Sequence, residues 1–325
     1  MAEPLLEVTD LSVDYLTDAA DVRAVDRVSF TVEPGEFVGI VGESGCGKST
    51  LLFGVGQLLS PPGEVAGGTV TFRGQDMVRL SGDELRNMRW RDYSVVMQSA
   101  MNALNPMKSI GAQFKDTLQA HGTLSPQEIR QRSAEVLGLV GIDDAHLDSY
   151  PHQLSGGMRQ RAMIAMALLF TPQLVMMDEP TSALDVVAQR SLMSKIKDLQ
   201  RTLGFAVIFV THDMSVVSRY SDRVMVMYAG QIAEAAPTEA IFDHPLHPYT
   251  RGLMSASPSV TGPRRDLLGI PGSPPDLARL PTGCRFHPRC PEVMPVCRSH
   301  EPELYQVGDA DVRCLLYAEQ VKEAV

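Results

Sequence analysis

The chain has 325 residues, 44% of them hydrophobic, with 29 Lys and Arg against 39 Asp and Glu for a net charge of -10. That length supports one large buried core with an appendage. The acidic balance is the wrong sign for a protein that holds nucleic acid by neutralising phosphates, so no nucleic-acid partner is expected. No apolar run reaches the roughly 18 residues of a membrane helix, and the stretch from Met1 to Asp10 lacks the basic-then-apolar layout of a signal peptide. A cytosolic chain is therefore expected, in which the five cysteines, four of them after residue 280, stay out of disulfides.

In chain order, short β-rich runs come first, at residues 5–13, 27–32, 37–41 and 69–73. Residues 111–139 then carry apolar positions at helical spacing, among them Phe114, Leu118, Ile129, Val136 and Leu137. Ser125-Pro126 supplies a cap and a first-turn residue there, which predicts a helical insert. Strand-like runs at 174–177 and 206–210 flank a polar helical stretch at 186–203, the βαβ rhythm of a parallel sheet. Beyond about Pro237 the chain is rich in proline (Pro245, Pro248, Pro258, Pro263, Pro271, Pro274, Pro275, Pro281), so regular elements there should be short. The reading is an α/β protein with a boundary near residue 240.

The strongest chemical signal is Gly42-Glu43-Ser44-Gly45-Cys46-Gly47-Lys48-Ser49-Thr50, between the apolar run 37–41 and Leu51-Leu52-Phe53. A triphosphate needs many donors in a small space. Glycines let backbone N–H groups approach it, and the N-terminus of the following helix adds positive potential. In this P-loop Lys48 would reach the β and γ phosphates, Ser49 would place its hydroxyl on Mg²⁺, and Thr50 would add a donor. Gly42, Ser44, Gly45, Cys46 and Gly47 complete the nucleotide-binding stretch, with Cys46 at its variable position.

A second signal is the apolar run 174–177 ending in Asp178-Glu179. Asp178 would hold Mg²⁺ through its water shell and Glu179 would polarise the attacking water as general base. A P-loop with a strand carboxylate fits many nucleotide hydrolases. What discriminates among them is Leu154-Ser155-Gly156-Gly157-Met158-Arg159-Gln160, in which Ser155 reads as a helix N-cap and the glycines expose N–H groups to an anion.

With that stretch the sequence resembles the ABC ATPases over about residues 5–240. The resemblance implies a P-loop core of mixed sheet and helices, with a helical subdomain at about 99–165. It also implies two domains closing face to face around ATP, so that Ser155 and Gly157 bind the nucleotide held by the partner. Gln98 looks like the glutamine that contacts Mg²⁺ and the attacking water. Ser182-Ala183-Leu184-Asp185 looks like the loop across the dimer interface, His212 like the switch histidine on the γ-phosphate, and Tyr15 like the aromatic that stacks on adenine.

A second resemblance covers 241–325, a small irregular domain. His244-Pro245-Leu246-His247-Pro248-Tyr249-Thr250, then Gly269-Ile270-Pro271-Gly272 and the cysteines, look like the C-terminal extension of oligopeptide, dipeptide and nickel importer ATPases, found also in oligosaccharide importers. Cys284, Cys290, Cys297 and Cys314 are separated by five, six and sixteen residues, unlike the paired knuckles of structural zinc. Four thiolates can hold a [4Fe-4S] cluster, as some members of this subfamily do; zinc and unliganded thiols stay open.

The resemblance further implies two membrane permease subunits, met by residues 99–106, an extracytoplasmic solute-binding protein, and a second, related ATPase subunit rather than an identical copy. The chain would sit peripherally on the cytoplasmic face of the membrane. Two other classes compete: an ABC ATPase of DNA repair or translation, and a regulatory module whose ATP site does not turn over. The first usually carries coiled-coil inserts or two fused cassettes, and neither is present in this sequence.

Overall fold

The computed structural model describes residues 3–17, 20–98, 103–182, 184–256 and 269–318. The first four residues of the expected permease-contacting segment, Ala183, and the prolines at 258 and 263 lie outside them. Strands β1 (Leu6–Tyr15), β2 (Val22–Val32) and β3 (Phe37–Val41) lead into helix α1 (Lys48–Val55). Strands β4 (Gly63–Phe72) and β5 (Gln75–Asp76), helix α2 (Gly82–Met88) and strand β6 (Tyr93–Val96) follow. Helices α3 (Ile110–Gln119), α4 (Pro126–Leu139) and α5 (Gly156–Ala167) come next, then β7 (Leu174–Asp178), α6 (Val186–Leu203), β8 (Ala206–Thr211) and α7 (Met214–Tyr220). The chain continues through β9 (Arg223–Tyr228), β10 (Gln231–Pro237), α8 (Thr238–Asp243), α9 (Pro248–Ala256), β11 (Tyr305–Val307) and β12 (Ala310–Val312).

These elements form two compact units, each assembled from separate stretches of sequence. One comprises residues 4–31, 38–78 and 210–325. Its first sheet has the order β2-β1-β4-β5, with β1 and β4 antiparallel from Leu6 opposite Phe72 to Tyr15 opposite Gly63. Alternate residues Leu6, Val8, Val70 and Phe72 are buried on one face, as period-two patterning requires. The second sheet of this unit runs β11-β12-β10-β9-β3. It is mixed: β3 is parallel to β9, from Val38 opposite Arg223 to Val41 opposite Val226, while β9, β10, β12 and β11 pair antiparallel. All five residues of β3 are buried, which explains why it reads as a continuous apolar run.

Two strands begin earlier than the pattern predicts. β2 starts at Val22 although Asp26, buried against the Arg285 guanidinium, breaks the apolar pattern. β4 starts at Gly63 despite Gly67-Gly68, since pairing with β1 supplies the ladder that intrinsic propensity does not.

The other unit comprises residues 1–3, 32–37 and 79–209. Its strands lie in the order β8-β7-β6, with β6 parallel to β7 from Tyr93 opposite Leu174 to Val96 opposite Met177. The expected helical insert is present. Ser109 caps α3, and Ser125 with Glu128 forms a reciprocal capping box on α4. Ile110, Phe114 and Leu118 of α3 and Ile129, Val136 and Leu137 of α4 are buried, the apolar stripe of a 3.6-residue period. Arg132 of α4 donates to the carbonyls of Leu168 at 3.0 Å and Leu169 at 2.8 Å, satisfying acceptors left over where α5 ends.

Candidate nucleotide-binding site

β3 delivers the chain into residues 42–47, and α1 begins at Lys48. Gly47 sits at φ 102°, and a Cβ there would lie 2.2 Å from the Ala24 carbonyl oxygen, so only glycine fits. Lys48 is buried, and its Nζ donates to the Gly42 carbonyl at 2.8 Å and the Glu43 carbonyl at 3.0 Å. The loop thus closes on its own ammonium group. Ser44 and Gly45 are exposed at the tip, while Ser49 and Thr50 are half-buried in the first turn of α1. Cys46 is buried with Sγ 3.8 Å from Lys48 Nζ, and loss of solvent holds its thiol above the usual range against the pull of that ammonium.

Tyr15 ends β1, and its hydroxyl lies 3.2 Å from Thr50 Oγ1. The ring packs on Gly63, where a Cβ would come within 2.9 Å of it. This places an aromatic side chain beside α1. His212 follows the last residue of β8 and is exposed; Asp213 caps α7 by accepting from the Ser215 N–H at 2.9 Å.

In the other unit, Asp178 closes β7 and is 1% exposed. Glu179 is half-buried with a left-handed backbone at φ 44°, a conformation that costs a non-glycine residue about 1 kcal/mol or more. The surroundings hold it there. The Glu179 carbonyl accepts from the Ser182 N–H and hydroxyl, both at 3.2 Å, and Gln98 Nε2 donates to Glu179 Oε2 at 3.0 Å. The two residues expected to handle the attacking water are therefore brought together across 81 positions of sequence.

Ser155 caps α5 by accepting from the Met158 N–H at 3.2 Å, and it is exposed. A Cβ added at Gly157 would meet nothing within 4 Å. Asp185 caps α6, accepting from the N–H groups of Val187 and Ala188 at 2.9 Å each. Beside it Val186 and Val187 are 62% and 78% exposed. Ser155 and Asp185 thus organise the starts of their own helices, both open to solvent. Gln160, quoted in the motif without a role, donates to the Pro180 carbonyl at 2.6 Å and ties α5 to the turn after Glu179.

Cys284, Cys290 and Cys297 all act electrostatically on Cys314. The Cys284 N–H donates to the Cys297 carbonyl at 2.9 Å, and Gly283 at φ 70° leaves no room for a Cβ, which would lie 2.5 Å from that same oxygen. Burial pushes the Cys314 thiol up to about 12 and the Cys284 thiol up to about 11, with further rises from the neighbouring sulfurs. Cys290 moves in the same direction for the same reasons. Thiols so placed are protonated at neutral pH unless a cation draws the proton off. Among the described residues no three Cys, His, Asp or Glu side chains form a cage for a single metal ion.

Sequence reading did not anticipate the contacts that the extension makes on the P-loop. Arg289 donates to both carboxylate oxygens of Glu43, at 2.6 Å and 2.9 Å, and the Glu43 N–H donates to the Tyr249 hydroxyl at 3.0 Å. The only local signal was Arg289 standing next to Cys290.

A buried parallel strand opening through crowded glycines onto a buried lysine at a helix start defines a P-loop nucleotide-binding protein. Comparison with known proteins carries this further. Residues 25–182 match the ABC transporter family, and residues 233–297 match the C-terminal region of oligopeptide/dipeptide transporters. A putative peptide import ATP-binding protein of Brucella abortus is 44% identical over 96% of this chain and 94% of its own length. The oligopeptide transport ATP-binding protein OppD of Salmonella typhimurium is 43% identical over 93% of this chain and 90% of its own. Among solved structures, the dimeric post-hydrolysis state of the ATP-binding cassette MJ0796 bound to ADP and Pi matches with a TM-score of 0.64 and 28% identity, covering 72% of this chain and 98% of that one. The chain belongs to the ABC transporter family of ATPases and carries the C-terminal region of the oligopeptide/dipeptide type. No helix among the described residues is long and apolar enough to cross a membrane.

Proposed function

We propose that this chain hydrolyses ATP to power import of peptides, or of a related solute such as an oligosaccharide or nickel, through two separate permease subunits fed by an extracytoplasmic solute-binding protein. Residues 1–240 form its nucleotide-binding domain and 241–325 its extension; it works from the cytoplasmic face of the membrane. The 3.0 Å hydrogen bond from Gln98 to Glu179 carries the catalytic part of this reading. A carboxylate held in a left-handed turn and steadied by an amide suits a general base aimed at one water.

The remaining roles follow. Tyr15 stacks on adenine, Lys48 and the 42–47 N–H groups hold the phosphates with Thr50, and His212 contacts the γ-phosphate. Ser49, Gln98 and Asp178 would hold Mg²⁺, directly or through its waters, since it is a hard cation that takes oxygen ligands, and the ion would neutralise phosphate charge. Ser155, Gly157 and Asp185 complete the site of a second, related ATPase subunit, which returns the same residues. Closure of the pair requires ATP, and loss of the γ-phosphate releases it.

Cys284, Cys290, Cys297 and Cys314, as thiolates, would hold a [4Fe-4S] cluster, which would brace the extension. Purification without oxygen should yield about four iron and four sulfide per chain; zinc in their place would overturn the assignment. For the transport reading, the chain assembled with its permease and binding protein should show peptide-stimulated ATP turnover. Turnover that survives Glu179→Gln unchanged would remove Glu179 as the base.

A further inference from the structure

Glu43 is the second residue of the P-loop, and each of its polar groups is engaged. Its N–H donates to the Tyr249 hydroxyl at 3.0 Å. Its carbonyl accepts from Lys48 Nζ at 3.0 Å and from the Cys46 N–H at 3.3 Å. Its carboxylate receives the two-pronged Arg289 guanidinium, a pairing that fixes orientation as well as distance. Two of these partners, Tyr249 and Arg289, belong to the C-terminal extension.

Both partners are themselves fixed. Tyr249 is fully buried, its ring 4.6 Å from Tyr228 and 5.4 Å from Phe286 between centroids. Arg289 is buried too, with Nε donating to the Pro271 carbonyl at 2.8 Å and the guanidinium over the Tyr228 ring. A free surface arginine would spend side-chain entropy on holding Glu43; this one is already ordered by its surroundings. The extension therefore presents a preorganised hydroxyl and a preorganised cation to one residue of the loop.

Two consequences bear on nucleotide. Lys48 rests on the carbonyls of Gly42 and Glu43, so the position of Glu43 sets where its ammonium waits for the phosphates. Glu43 also brings a carboxylate into a loop whose ligand is a polyanion. Left unpaired, that charge would repel the phosphates; paired with Arg289 it does not.

We propose that Arg289 and Tyr249 are positioning residues for the P-loop, so that docking of the C-terminal extension sets the chain's affinity for ATP. This rests on the reading of residues 42–50 as the ATP site and adds that the site is incomplete without the extension. Neither residue touches the reacting atoms. Their effect passes through Glu43, which should place it in ATP affinity and KM rather than in kcat.

The test uses the full-length chain and a fluorescent ATP analogue. Arg289→Ala is expected to weaken binding at least 10-fold, and Tyr249→Phe, which keeps the ring and removes only the hydroxyl, about 3-fold. Glu43→Gln combined with Arg289→Ala is expected to recover at least 3-fold over Arg289→Ala alone, because the uncompensated charge is gone. A merely structural role for Arg289 would give no such recovery. Arg289→Ala binding as tightly as the parent would overturn the proposal, as would a double variant no tighter than Arg289→Ala. Should Arg289→Ala fail to fold, Tyr249→Phe and Arg289→Lys decide: parental affinity in both would refute the clamp. Lys48→Ala is the control on the site itself, since unchanged binding there would defeat the ATP-site reading, not the clamp.

Discussion

The two glycine motifs of this chain make opposite demands on their surroundings. At the P-loop, a Cβ at Gly42 or Gly47 would come within 2.2 Å of a backbone oxygen, of Met227 and Ala24 respectively. At the signature turn, Gly157 has open space around it and lies within α5, where alanine is the better helix former by up to about 1 kcal/mol. Gly42 and Gly47 are explained by the chain itself. Nothing in this chain crowds Gly157, which agrees with the role proposed for it toward a nucleotide held by a partner subunit.

Variants can break that contrast, beginning with the chemistry both motifs serve. Glu179→Gln should lower ATP turnover by about 100-fold or more, the usual size of a general-base contribution, while nucleotide binding measured by fluorescence persists. Gly47→Ala should abolish nucleotide binding and cost at least about 3 kcal/mol in denaturant unfolding, from strain at positive φ plus the collision with Ala24. Ser155→Ala removes the cap of α5 and should cost about 1 kcal/mol by the same assay.

The smallest effect is one of pH. Burial holds His247, beside the P-loop contacts of the extension, neutral down to about 3. Between about 6.5 and 3 the unfolded chain binds a proton there that the folded chain refuses, so this group's share of stability falls as pH falls. Glu234, which accepts the His247 N–H at 2.9 Å and is raised by burial, acts with the opposite sign above 4.5. The parent should therefore lose more stability on acidification than His247→Gln. Hydrogen exchange should locate the loss at residues 244–256 and spare the 155–160 turn.

Much of the site was legible because its signals are local. The P-loop, the Asp178-Glu179 strand end and the Ser125 and Ser155 caps each need only a few neighbouring residues to be recognised, and each takes the local structure expected. The fold was less so. β2 and β4 start earlier than patterning indicates: Asp26, buried against Arg285, interrupts the apolar alternation of β2, and the ladder to β1 carries β4 through Gly67-Gly68. The clamp on Glu43 joins positions 246 apart, and nothing near Glu43 announces Arg289. Local sequence carries backbone propensity and capping; it does not carry the partner of a buried charge.

The contrast between the two motifs is tested most directly by Gly157→Ala. Its thermal stability and the nucleotide affinity of the isolated chain should equal or exceed those of the parent, while ATP turnover of the assembled transporter falls at least 10-fold. Turnover at the parental rate would mean that Gly157 serves no partner's nucleotide, and the account of a shared site would fail.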